Sequence, residues 1–243
     1  MSTPGLNNTL GRFYGVGVGP GDPELLTIKA QRLLERVGAV CFTQLDDGRE
    51  SYALGVVRGY LEEKKPELIS ITVPSDDTPV SQETWDKAAV SVGSRLREGK
   101  DVAFITEGDP MLYSEFSNLL DSVLTLVPEV ATEVIPGVSS ILAAAASAGV
   151  PLVTQGQRLA ILPAVYGIDD LREAIANYDT IVLMKVNKVL LEALVNLEKL
   201  GLAGKGVYVR RATTEQEQVV TNLQQLTEED LDYFSLLIIR KGD

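Results

Sequence analysis

The run Tyr14-Gly15-Val16-Gly17-Val18-Gly19-Pro20-Gly21-Asp22-Pro23-Glu24-Leu25-Leu26-Thr27 constrains the fold more than any other stretch of the chain. Phe13 to Val18 has the apolar, β-branched character of a buried strand, and Gly19, Pro20 and Gly21 end it abruptly. A helix is expected to follow at once. Asp22 can cap it, Pro23 suits a first helical position that needs no N–H, and Glu24 favours the positive end of the helix dipole. Leu26, Ala30, Leu33 and Val37 then recur at helical spacing.

A glycine turn between strand and helix invites a nucleotide reading, which the spacing refuses. In G-x-G-x-x-G, the third glycine counted from Gly15 and Gly17 falls on Pro20, and counted from Gly17 and Gly19 it falls on Asp22. No Gly-Lys-Ser/Thr ending of a phosphate loop occurs, and a cap carboxylate at Asp22 would occupy the N–H groups that an anion needs. An ordinary strand-to-helix connection remains open at this point. Two more turns of the same kind change the balance. Asp101 to Thr106 leads into Glu107-Gly108-Asp109-Pro110 and a helix expected from Met111; Thr132 to Ile135 leads into Pro136-Gly137-Val138-Ser139-Ser140 and an alanine-rich helix over Ile141 to Ala148. If the three strands run parallel, all three turns share one sheet edge, where ligands of open parallel sheets bind. Asp22, Glu107 and Asp109 make that edge acidic, better suited to a cationic or zwitterionic ligand than to a polyphosphate.

The rest of the first half alternates strand and helix. Ala39 to Thr43 and Leu68 to Val73 read as strands, Tyr52 to Leu61 as a helix, and Ser81 as the cap of a helix reaching Glu98 with Trp85, Ala88, Ala89, Val92 and Leu96 on its inner side. Past about residue 150 the rhythm changes. Arg158 to Pro163, Thr180 to Lys185 and Gly206 to Arg211 are strands separated by helices, while Gln218 to Asn222 and Tyr233 to Arg240 leave little room for a helix beyond Leu223 to Asp230. The expected architecture is two α/β domains, residues 1–150 with a parallel sheet and residues 151–243 with a mixed sheet, and a ligand cleft between them.

Composition removes several classes of function. There is no histidine, which excludes a His-based zinc site, a Ser-His-Asp triad and a histidine general base. A net charge of −12 without a block of Lys and Arg argues against nucleic-acid binding. No apolar run approaches the ~20 residues of a membrane span. Met1 to Thr9 has neither the basic segment nor the apolar core of a signal peptide and reads as a loose tail. Cys41 is single, so no internal disulfide forms, and its apolar neighbours mark it as a packing residue. A cytoplasmic location is expected.

The run Gly17 to Thr27, with Glu107-Gly108-Asp109-Pro110 and Pro136-Gly137-Val138-Ser139-Ser140, resembles the tetrapyrrole (corrin and porphyrin) methyltransferases over nearly the whole chain. Gly108 to Ser114, Leu183-Met184-Lys185 and Tyr233 to Ile238 are most similar to the precorrin-2 C20-methyltransferase branch of cobalamin synthesis. The resemblance implies S-adenosylmethionine (SAM) as cofactor, a polycarboxylate tetrapyrrole as substrate, any metal being held by the tetrapyrrole and none by the protein, and a homodimer. It places Pro20, Gly108, Asp109, Met111, Leu112, Ser139, Ser140, Met184, Arg211, Ala212 and Thr213 against the cofactor, Asp109 taking its ammonium or ribose hydroxyls. An acidic chain can hold such a substrate only through local basic residues, for which Arg12, Arg49, Lys185, Arg210 and Arg211 are the candidates, with Glu107 and Tyr113 also expected against the substrate. The catalytic base is left open among Glu107, Asp22, Asp46, Tyr113, solvent and none. Three departures from the branch pattern stand out: Tyr113-Ser114-Glu115-Phe116 in place of Tyr-Ser-Thr-Phe, Cys41-Phe42-Thr43-Gln44 in place of a Tyr-Pro-Lys-like strand end, and the short loop Leu45 to Arg49. The alternatives are another branch, such as uroporphyrinogen methylation, and a non-catalytic tetrapyrrole- or nucleotide-binding module.

Overall fold

The computed structural model describes residues 9–75, 78–163, 168–186, 190–230 and 232–241. The tail expected over Met1 to Thr9 lies outside these residues apart from Thr9, as do Asp76 and Asp77 of the loop after the third strand. Two compact units divide the chain, Met1–Ser139 and Ser140–Asp243. The sequence reading set its boundary after Val150 instead.

The first unit holds β1 (Phe13–Gly17), α1 (Ile28–Leu34), β2 (Ala39–Leu45), α2 (Tyr52–Leu61), β3 (Glu67–Val73), α3 (Gln82–Arg97), β4 (Val102–Thr106), α4 (Phe116–Leu126) and β5 (Thr132–Ile135). Its sheet has the order β3-β2-β4-β1-β5 and every pairing is parallel. Helices cover both faces, so the central strands β1 and β4 are buried at every residue and read as continuous apolar runs. On one face Tyr14, Val16, Val40 and Ile105 meet α1 and α2. On the other, Phe13, Cys41 and Phe104 meet α3 and α4, with Trp85 in the core as expected. Ser51 and Ser81 cap α2 and α3 through the N–H groups of Leu54 and Thr84.

Two helix starts differ from the sequence reading. After the first turn, Asp22 and Pro23 open only a single 3-10 turn, Pro23–Leu25, and the chain then extends through Leu26 before α1 begins. Thr27 supplies the cap, its hydroxyl accepting the Ala30 N–H. After the second turn, the helix starts at Phe116 rather than Met111. Tyr113 takes a left-handed conformation (φ 52°), which breaks any helix begun at Met111, and the Ser114 hydroxyl then accepts the Phe116 N–H.

The second unit holds α5 (Ser140–Ala148), β6 (Leu159–Pro163), α6 (Ile168–Asn177), β7 (Thr180–Met184), α7 (Leu190–Lys199), β8 (Gly206–Arg210), β9 (Gln218–Val220) and β10 (Ser235–Arg240). Its sheet order is β6-β7-β10-β8-β9, parallel between β6 and β7 and antiparallel elsewhere, the mixed sheet that the crowded strands predicted. Leu223–Gln225 and Glu228–Asp230 form 3-10 turns in place of a connecting helix. The buried Tyr208 pins the second of them, its hydroxyl donating to the Asp230 carbonyl.

Candidate functional site

Because β4, β1 and β5 are parallel neighbours, the three glycine turns emerge side by side at the carboxyl edge of the first sheet. They are joined to one another. Gly108 donates its N–H to the Gly19 carbonyl at 2.8 Å, and Val18 donates to the Thr106 carbonyl at 2.9 Å. Asp109 closes the junction on the other side: its Oδ1 accepts the Met111 N–H at 2.8 Å and its Oδ2 accepts the Gly137 N–H at 3.0 Å. The backbones approach so closely that side chains are excluded. A Cβ on Gly17 would stand 2.4 Å from the Gly108 carbonyl oxygen, and one on Gly137 would stand 2.0 Å from the same atom. The result is a close-packed junction of three backbone turns, with the Asp109 carboxylate the side chain that bridges two of them, and Ser139 and Ser140 follow directly in the chain at the start of α5.

The junction carries acid without being loaded with unpaired carboxylate. Asp22 turns its Oδ1 to the Glu24 N–H at 2.8 Å, and both oxygens of Asp109 hold backbone N–H groups. These carboxylates occupy the Glu24, Met111 and Gly137 N–H groups, which a phosphate at the turns would otherwise use. Around it, Pro20 is buried, Leu112 half-buried and Met111 70% exposed, so the second turn presents an apolar side chain to solvent. Glu107 and Tyr113 flank that turn. Glu115 is bonded by the Asn118 amide. Arg49 lies in the loop after β2, where its Nε meets Asp47 at 2.7 Å and its N–H bonds the same carboxylate, holding Asp47 below the usual carboxylate range.

Arg12 stands apart from this group. It precedes β1, so it lies at the amino edge of the sheet, its N–H on Asp101 and its guanidinium 3.2 Å from Glu133. Lys29 joins the same carboxylate, and these hydrogen bonds lower the Glu133 pKa, Lys29 contributing most. A groove lined by Tyr14, Lys29, Arg32, Arg36 and Glu133 runs along this flank, and none of the turn residues lines it.

In the second unit the candidates gather where β7 and β8 end and β10 begins. Lys185 follows Met184 in a left-handed conformation (φ 56°), donates its N–H to the Ser235 carbonyl, and places Nζ 4.7 Å from the Tyr233 ring centroid. Tyr233 stacks edge-on against Phe234. Arg211 lies over the other ring partner, 5.8 Å from the Phe234 centroid, with Nε on Asp232 at 2.7 Å and a terminal nitrogen on Gln216 at 2.9 Å. Ala212 is buried, and Thr213 is left-handed (φ 70°). Arg210 turns its Nε inward opposite Gln218.

Several residues that shape these turns escaped the sequence reading. Tyr52 on α2 donates its hydroxyl to the Pro20 carbonyl at 2.9 Å, and Tyr60, two turns further on, donates to the Pro23 carbonyl at 3.2 Å. Their spacing on a mostly apolar helix is the available signal, since a tyrosine in such a place needs a partner for its hydroxyl. Asp232, Gln216 and Glu217, which hold the Arg211 turn, had none.

Residues 12–227 match the family described as Tetrapyrrole (Corrin/Porphyrin) Methylases. A probable cobalt-precorrin-2 C(20)-methyltransferase of Methanocaldococcus jannaschii is 35% identical over 244 residues, covering 97% of this chain and 99% of the relative. The cobalamin biosynthesis protein CobIJ of Mycobacterium tuberculosis is 30% identical over 240 residues, and there the chain spans 46% of the relative's length. Among solved structures, the uroporphyrin-III C-methyl transferase from Thermus thermophilus complexed with S-adenyl homocysteine superposes with a TM-score of 0.67 at 27% identity, over 95% of this chain and 98% of that one.

Proposed function

The chain belongs to the tetrapyrrole (corrin and porphyrin) methylase family, and we propose that it is a SAM-dependent methyltransferase acting on C20 of precorrin-2 or its cobalt form in cobalamin synthesis. The observation that carries the reading is the junction of three glycine turns, a platform on which a Cβ at Gly17 or Gly137 would clash with backbone. A ligand with a methionine and an adenosine part fits such a surface, because main-chain groups can grip it while no side chain intrudes. SAM, when bound, supplies a methyl group already activated as an electrophile by its sulfonium. The protein's task is then to hold, orient and keep water away.

In this reading Gly108, Met111, Leu112, Ser139 and Ser140 hold the cofactor, Pro20 shapes the first turn, and Asp109 sets the spacing of the other two. Met184 and the Arg211-Ala212-Thr213 turn serve the same ligand, and Lys185, Arg49, Glu107 and Tyr113 serve the tetrapyrrole. Arg12, at the opposite edge of its sheet, drops out of the proposed set. Cation–π contact fixes the Lys185 ammonium without neutralising it, so it stays available to a substrate carboxylate. The likeness over both full lengths to the archaeal relative favours the C20 branch. Among the described residues no helix is long and apolar enough to cross a membrane. We place the protein in the cytoplasm as a homodimer, a state that light scattering after gel filtration checks.

The test is turnover followed by mass spectrometry, with labelled SAM and enzymatically made precorrin-2, with and without cobalt, beside uroporphyrinogen III. One added methyl, located at C20 by NMR, is the expected product. Methylation of uroporphyrinogen III alone would transfer the protein to that branch, the reading favoured by the Thermus neighbour. Binding of SAM without transfer to any of them would overturn the catalytic assignment.

A further inference from the structure

The turn Arg211-Ala212-Thr213 is built against backbone preference. Arg211 and Thr213 both adopt positive φ (47° and 70°), and for a β-branched residue such as Thr213 this is an outlier that persists only where the surroundings enforce it. Asp232 and Gln216 hold the Arg211 side of the turn, and Glu217 holds the Thr213 side. Glu217 brings a single oxygen, Oε2, to the Thr213 N–H at 2.5 Å and to the Ser147 hydroxyl on α5 at 2.6 Å. The strained amide is thereby satisfied and tied to the helix that opens with Ser140.

Glu217 is exposed, and the Arg211 guanidinium is bonded by Asp232 and Gln216, so the hydrogen bonds of the Glu217 carboxylate go to Thr213 and Ser147. We propose that Glu217 is a positioning residue of the methyl-transfer site: it holds the Thr213 turn in its left-handed form and fixes that turn to α5, so that both present one preformed surface to SAM. This rests on the proposed function, in which the Arg211 turn and Ser140 serve the cofactor. Because one acceptor oxygen makes both bonds, charge is not required. The amide oxygen of a glutamine can replace it, whereas alanine releases both donors.

The experiment measures SAM affinity by calorimetry for the full-length wild type, E217A, E217Q and S147A, with hydrogen exchange of the 211–217 segment and melting temperature recorded on the same preparations. E217A is expected to weaken SAM about tenfold and to speed exchange at the Thr213 amide; E217Q stays within about twofold of wild type, and S147A, losing one of the two bonds, lies between. In turnover the loss appears in KM for SAM with kcat changed less. E217A binding SAM as tightly as wild type, or E217Q failing as badly as E217A, would overturn the proposal. Failure of the wild type itself to bind SAM would instead overturn the functional reading, and the positioning role with it. S147A keeps the Thr213 bond and gives the answer if E217A does not fold: wild-type affinity in S147A then refutes the tether to α5.

Discussion

Gly137 donates its backbone N–H to Oδ2 of Asp109 at 3.0 Å, so a single carboxylate spaces the turns after β4 and β5, 28 residues apart. The same carboxylate accepts the Met111 N–H through Oδ1. Capping chemistry common before a proline is thus extended from one turn to two, and the arrangement leaves Asp109 occupied on both oxygens before any ligand arrives.

Replacing Asp109 by asparagine removes one of these acceptors, since an amide has a single carbonyl oxygen. One N–H is left facing an NH2 group, at a cost of about 1–3 kcal/mol for a part-buried donor. D109N should lower both the melting temperature and the SAM affinity, the latter by about tenfold or more. If D109N lost SAM affinity while its melting curve stayed unchanged, direct contact between this carboxylate and the cofactor would be the better account.

The glycines make a sharper contrast. G137A places a methyl group 2.0 Å from the Gly108 carbonyl oxygen, where backbone on both sides must move, and overpacking of that kind costs roughly 1–3 kcal/mol or more. G55A adds the same methyl group in the exposed interior of α2 with no atom within 4 Å, and should stabilise by roughly 0.5–1 kcal/mol. Scanning calorimetry should therefore move the two variants in opposite directions, with SAM binding abolished only in G137A.

These contrasts also mark what the sequence could and could not reveal. The strands were legible because parallel strands buried on both faces show as apolar runs, from Phe13 to Val18 and from Asp101 to Thr106, and the turns because glycine and proline punctuate them. Asp22 and Pro23 promised a full helix and delivered one 3-10 turn, for a hydroxyl five residues on, Thr27, competes as the cap and wins α1. The start of α4 was missed for a similar reason, a left-handed Tyr113 being invisible in composition. Arg12 reads in the sequence as one carboxylate partner among several, and only the direction of β1 shows that it lies at the sheet edge opposite the three turns. Sequence gives residue types; strand direction decides which of them share an edge.

Cys41, the only cysteine, serves as an internal probe of folding. It is fully buried in the apolar core, and burial pushes its thiol up to about 12 from 9.0. In the folded protein the thiol stays neutral where the unfolded chain would ionise, so this contribution to stability is intact below pH 9 and is lost progressively as pH rises from there towards 12. A thiol reagent at pH 8 should leave the native protein unmodified and react with one equivalent in guanidinium chloride. C41A should flatten the alkaline arm of the stability curve, while costing packing at all pH values.

Tyr52 provides the last test, because it reaches the backbone of the first turn from α2. Its hydroxyl donates to the Pro20 carbonyl at 2.9 Å, and Tyr60 adds a more exposed bond to Pro23 at 3.2 Å. Phenylalanine at position 52 keeps the ring and removes the hydroxyl that donates to Pro20, a bond worth about 0.5–1.5 kcal/mol net. Were the turn held by its own backbone alone, Y52F would bind SAM normally. A turn braced by α2 should instead lose SAM affinity about three- to tenfold in Y52F, with a smaller loss in Y60F. The double variant should lose less than the product of the two factors, since both hydroxyls brace one stretch of chain from Pro20 to Pro23 and the second loosening acts on a turn already released.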